Sequence, residues 1–145
     1  MAVSFSGEIA WELHIPNDML AETYQAIRAA GAKPFGLYAT ESMRLEKGYR
    51  HWKADLITEF NPIESALDRF VADKEYTGKA AVETQTVRRN FVSFTLDTEA
   101  HPAHAGDSVM VDGKVIGTIT SAGWGLRTEK NICLLYTSPS PRDRG

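Results

Sequence analysis

The sequence predicts an α+β protein: a mixed strand/helix portion over residues 1–86, then a small antiparallel β portion over residues 87–132. Three observations carry this. Leu20, Tyr24 and Ile27 recur at helical spacing between Met19 and Ala30. From Val87 the texture changes to short alternating runs joined by tight turns, the pattern of an antiparallel sandwich or barrel. The length, 145 residues, is that of one domain or parts of two.

Taken in order, Val3–Phe5 and Ile9–Ile15 alternate on either side of Gly7-Glu8 and predict a hairpin, with Trp11 on one face and Glu8, Glu12 and His14 on the other. Pro16-Asn-Asp18 ends it, and Met19–Ala30 is an amphipathic helix closed by Gly31. Ala32–Tyr38 reads as a loop with an extended piece, and Thr40 caps a helix that runs to Lys47 and stops at Gly48. Asn61-Pro-Ile-Glu64 combines an N-cap, a proline at the first helical position and a glutamate that closes a capping box, predicting a short helix to Leu67. Phe70 and Val71 continue toward a strand, and Thr77 caps a further helix. Three strands follow, Asn90–Asp97, Asp107–Val111 and Lys114–Ser121, with Asp112-Gly113 as a two-residue hairpin turn and Ala122–Gly125 as a turn.

Composition narrows the function classes. Hydrophobic residues make up 43% and charged residues 24%, and the formal charge of −3 argues against a nucleic-acid surface. No apolar run approaches the roughly 20 residues of a membrane helix. A single cysteine, Cys133, excludes an internal disulfide framework and a multi-cysteine zinc site. His101 and His104 lack a third ligand at metal-site spacing, so no metal is expected. The expected compartment is cytoplasmic, with small-molecule partners and neither nucleic acid nor membrane.

The chemistry concentrates between Glu41 and Leu56. Here a helix ends at Gly48, and Tyr49, His51 and Trp52 follow within four residues, a surface suited to a flat ligand. Arg44 reads as a structural ion pair, with Glu41 or across a buried bridge. Lys53, Asp55 and Glu59 read as solvated.

Gly7-Glu-Ile-Ala-Trp-Glu-Leu13, Arg44-Leu-Glu-Lys-Gly-Tyr49, Asn61-Pro-Ile-Glu64, Thr77-Gly-Lys79 and Val115-Ile-Gly-Thr-Ile-Thr-Ser121 occur in family order and together resemble the glycine-cleavage T-protein, or aminomethyltransferase, family. The run from Glu46 to Leu56 is similar to the C-terminal folate-binding region of sarcosine and dimethylglycine dehydrogenases. The resemblance implies a partial folate-binding domain over residues 1–86 and, over 87–132, a partial C-terminal β-barrel missing its last strand and prone to poor solubility. It implies tetrahydrofolate as cofactor, a methylated amine as substrate, and FAD bound in the parent enzyme outside this chain. Glu12 takes the position of the family's pterin-holding glutamate, where a carboxylate accepts two hydrogen bonds from an aminopyrimidine edge. Tyr49 takes that of a tyrosine lining the folate site.

Two departures accompany it. Thr40 stands where the family has a folate-contacting arginine, and the family's catalytic aspartate falls upstream of residue 1, so no catalytic residue is expected here. The alternatives are an aminomethyltransferase or folate-dependent demethylase without flavin, and a non-catalytic folate-binding or tRNA-modification module. Residues 133–145 resemble the translation of a sequencing adapter and are expected to lie outside the native fold.

Overall fold

The computed structural model describes residues 4–98 and 100–138. Its elements are α1 (Leu20–Ala29), α2 (Leu37–Glu46), α3 (Lys79–Thr84), β1 (Asn90–Leu96), β2 (Ser108–Val111), β3 (Lys114–Gly125) and β4 (Lys130–Thr137). The expected class holds: helices and irregular segments precede a four-stranded antiparallel sheet of order β1-β4-β3-β2.

The helix ends follow from backbone geometry. Gly31 and Gly48 both have positive φ, at 100° and 66°, as the residue past a final turn requires. At Gly48 the motif is complete: Tyr49 N–H bonds the Arg44 carbonyl at 2.9 Å and Gly48 N–H bonds that of Leu45 at 3.0 Å. The start of α2 differs from expectation. Gly36, in extended conformation, is its N-cap, and Thr40 lies inside the first turns, because Leu37-Tyr-Ala39 are adequate helix formers without a side-chain cap.

Asn61–Glu64 forms the capping box predicted for it. Glu64 N–H donates to Asn61 Oδ1 at 2.8 Å and Asn61 N–H to Glu64 Oε2 at 3.2 Å. The helix behind it is a single turn, since Ala66 adopts φ 51° and closes it with Leu67 N–H on the Pro62 carbonyl at 2.8 Å. Phe70 ends a 3-10 turn, Asp68–Phe70, rather than entering a strand. Thr77 is likewise not a cap: Gly78, at φ 94°, precedes α3. The hairpin expected near the amino end does not form among the described residues. Ser4–Pro16 carries a lone bridge residue at Trp11, consistent with the marginal stability of two strands without a sheet to join.

In the sheet, Asp112 and Gly113 both have positive φ, 50° and 76°, and make the predicted tight turn between β2 and β3. Ala122–Gly125 is not a turn: these residues extend β3 and pair with Cys133–Lys130. The largest correction concerns residues 133–145. Cys133–Thr137 belong to β4, which pairs with β1 on one side and β3 on the other. Cys133, Leu134, Leu135 and Tyr136 are all buried. Cys133–Thr137 thus lie in the sheet's central strand pairing, and their apolar run suits a strand covered on both faces. The part of that tail from 139 to 145 lies outside the described residues.

Two small cores result, one on each face of β4. Leu45 of α2 packs with Ile132, Leu134 and Phe91, so α2 covers one face. Ile119, Cys133 and Leu135 gather Phe94, Leu96 and Val109 on the other.

Candidate functional site

The run Arg44-Leu-Glu-Lys-Gly-Tyr49 sits where α2 meets the sheet, and most of its side chains are spent on holding the two together. Leu45 enters the core. Glu46 Oε1 accepts the backbone N–H groups of Arg127 and Thr128, at 2.7 and 3.0 Å, fixing the β3–β4 turn. The Lys47 stem lies against Gly7, where a Cβ would come within 2.1 Å of it, so the amino-terminal segment is seated on the end of α2 by a glycine. Glu8 pairs with Arg127 at 3.0 Å and Phe5 meets His51 edge-on, which completes that seat.

Arg44 is the centre of a buried network, with a side chain only 3% exposed. Its Nε and one terminal nitrogen hold Glu41 Oε2, the ion pair expected from sequence. The other terminal nitrogen donates to Asp55 Oδ2 at 2.7 Å and to the Tyr49 carbonyl at 3.1 Å. Ser121 Oγ takes a further bond at 2.9 Å. All five guanidinium donors are therefore used, a fork that lysine cannot reproduce.

Asp55, expected in solvent, is fully buried. Its Oδ2 also accepts His51 N–H at 2.8 Å, while Oδ1 accepts the Thr120 and Ser121 hydroxyls. Consecutive strand residues ordinarily point to opposite faces, but a bulge in β3 between Ile119 and Ser121 shifts the register here. Both hydroxyls thereby reach one carboxylate. Tyr136 adds a bond from its hydroxyl to the Asp55 carbonyl at 2.7 Å and one shared with Ser65 at 2.8 Å, with its ring stacked on Phe60. Burial pushes the Tyr136 phenol up from its ordinary value, with the Asp55 charge adding to this against the Ser65 hydrogen bond.

Glu64 is a second buried carboxylate. Burial raises its pKa, but backbone N–H groups of Arg88, Asn61 and Arg89 outweigh this and hold it below its ordinary range.

The side chains of the two residues expected to contact the ligand lie outside these networks. Glu12 is exposed in the irregular segment before α1, and Tyr49 is 38% exposed just past α2. No hydrogen bond joins their side chains to each other among the described residues, and only Tyr49's backbone is tied down. Asp55, Thr120, Ser121 and Tyr136 were not singled out in sequence. The paired hydroxyls of Thr120-Ser121 inside an apolar strand were the available signal. No group of three or more His, Cys, Asp or Glu suited to a metal occurs among the described residues.

The amino-terminal part of the chain, residues 1–75, matches the family model of the GCVT N-terminal domain, and residues 89–145 match that of the glycine cleavage T-protein C-terminal barrel domain. The chain belongs to the glycine cleavage T-protein family. Within that family it is 36% identical to mitochondrial sarcosine dehydrogenase of Homo sapiens over 94% of this chain and 16% of that protein. It is 32% identical to an aminomethyltransferase of Thermus thermophilus, over 91% of this chain and 38% of the relative. The crystal structure of aminomethyltransferase T from Bartonella henselae superposes with a TM-score of 0.72 at 25% identity, covering 81% of this chain and 36% of that one. The T-protein-like chain thus spans about one sixth of the dehydrogenase and under two fifths of the aminomethyltransferases. Among its described residues no helix is long and apolar enough to cross a membrane.

Proposed function

We propose that this chain is part of the tetrahydrofolate-binding region of a larger sarcosine or dimethylglycine dehydrogenase-like enzyme. That region passes the one-carbon unit released by N-methyl amine oxidation to tetrahydrofolate. The observation that carries the reading is the similarity to mitochondrial sarcosine dehydrogenase across 94% of this chain, beside which the exposed polar side chains take their meaning. Glu8, Arg44, Glu46, Asp55 and Glu64 are committed to internal pairs. Glu12 and Tyr49 present uncommitted side chains to solvent. A free carboxylate fits the aminopyrimidine edge of a pterin, and an exposed phenol ring fits its flat face.

The identity to sarcosine dehydrogenase across 94% of the chain supports the dehydrogenase branch, as does Thr40 at the family's arginine position. FAD belongs to the parent enzyme outside this chain, and oxidation of the amine takes place there. The partners are folate and a methylated amine, without nucleic acid or membrane. The compartment we assign is the cytoplasm. The label "mitochondrial" is the human relative's. The match to the Thermus aminomethyltransferase favours a second reading, a transferase or demethylase of the same fold without flavin. A flavin-binding fingerprint in the gene upstream of this reading frame decides between the two.

Glu12→Ala in the full-length protein tests the folate reading. Loss of a charge-assisted contact predicts weaker tetrahydrofolate binding by about 10- to 100-fold, with the melting temperature unchanged because Glu12 is exposed. Undiminished binding would make Glu12 an ordinary surface carboxylate, and the absence of tetrahydrofolate binding by the unsubstituted protein would sink the proposal.

A further inference from the structure

We infer that Arg44, Asp55 and Ser121 form a positioning device through which the β-sheet sets the place of Tyr49 in the ligand site. The inference rests on the reading of Tyr49 as a folate contact. Tyr49 is held at both of its backbone polar groups by one residue: its N–H bonds the Arg44 carbonyl at 2.9 Å and its carbonyl accepts from the Arg44 guanidinium at 3.1 Å. The phenol side chain is left free while the backbone beneath it is clamped.

The clamp is not local to α2. Arg44 is itself fixed by Asp55, and Asp55 closes the intervening loop through His51 N–H on its Oδ2, with Asp55 N–H returning to the His51 carbonyl at 2.9 Å. Ser121 then bridges the pair, donating to Asp55 Oδ1 at 2.8 Å and accepting from Arg44 at 2.9 Å. It reaches both because the bulge beside it turns Thr120 and Ser121 toward the same carboxylate. A strand more than 60 residues away in sequence thereby holds the loop that carries Tyr49. With the pair buried and every guanidinium donor used, a change at Ser121 is felt at the Tyr49 carbonyl rather than absorbed by water.

Ser121→Ala is the mildest probe, since Thr120 keeps one hydroxyl on Asp55. The experiment is a double-mutant cycle in the full-length protein, with Tyr49→Ala and Ser121→Ala measured singly and together by titration with tetrahydrofolate and by thermal melting. Tyr49→Ala is expected to weaken binding. Ser121→Ala should weaken it about five- to tenfold when Tyr49 is present and hardly at all when Tyr49 is already alanine. Its effect on melting should be the same in both backgrounds, which a purely structural role would share and the binding coupling would not. If Tyr49→Ala weakens binding but Ser121→Ala adds the same factor in either background, or none, the positioning role is wrong and the folate reading stands. If Tyr49→Ala leaves binding unchanged, Tyr49 is no folate contact and the positioning role falls with it, whereas a protein that binds no tetrahydrofolate at all overturns the proposed function itself.

Discussion

Glu64 illustrates how a single side chain carries both fold and pH response. Its Oε1 takes the N–H groups of Arg88 and Arg89, at 2.7 and 3.2 Å, where the chain enters β1, and its Oε2 closes the capping box on Asn61. The ionised form is the one these donors stabilise, so the folded-state pKa lies below the ordinary value of 4.5 despite burial. A lowered carboxylate pKa contributes stability that is complete above the unfolded value and is lost as pH falls through the folded one. Melting temperature should therefore fall as pH drops below about 4.5, and less steeply in Glu64→Gln, which has no charge to lose. Melts of the two proteins from neutral to acidic pH check this. Parallel curves would show that Glu64 titrates alike in both states.

Three segments end in the same way, at Gly31, Gly48 and Ala66, each with a positive φ at the residue past the last turn. Only the third lacks glycine. An L-residue in the left-handed region costs on the order of 1 kcal/mol, and Ala66 is exposed, so no packing is forfeited by removing its methyl. Ala66→Gly should raise stability by up to about 1 kcal/mol, the glycine's extra unfolded-state entropy offsetting part of the gain. Denaturant titration reads it directly, and a destabilised variant would mean that the turn is not held in this conformation. The glycine ends were legible in the sequence because glycine announces its own backbone requirement. Ala66 was not, since nothing in alanine marks a left-handed turn. The same contrast holds elsewhere. The Asn61–Glu64 box and the Asp112-Gly113 turn are local and were read correctly. Asp55 reads as solvated in the sequence because its partners, Arg44, Thr120 and Ser121, are brought to it only by tertiary structure. Cys133–Thr137 of β4 read as tail because the run from Cys133 resembles an adapter translation, a resemblance blind to the fact that its apolar residues suit a buried central strand.

At the scale of the whole molecule, burial is uneven. α2 and β4 share a core, whereas α1 presents Leu20, Tyr24 and Ile27 to solvent, with Trp11 in the preceding segment 71% exposed. The amphipathic stripe of α1 was plain in the sequence, but among the described residues nothing of the chain lies over it to bury it. A contiguous apolar face of this kind drives association of the chain as it stands. The sheet offers a rival surface: β2 is an open edge with Met110 and Val111 exposed, and an unpaired edge is a template for pairing with another chain. Four residues of edge, twisted by the bulge between Val109 and Met110, template pairing poorly. The helix face is the stronger cause on this reasoning. Sedimentation velocity of the 145-residue chain should show self-association at micromolar concentration. Leu20→Glu with Ile27→Glu should shift it toward monomer, and Val111→Lys on the β2 edge should not. A monomer without substitution would remove the argument for the helix face. Rescue by Val111→Lys alone would return the cause to the sheet edge.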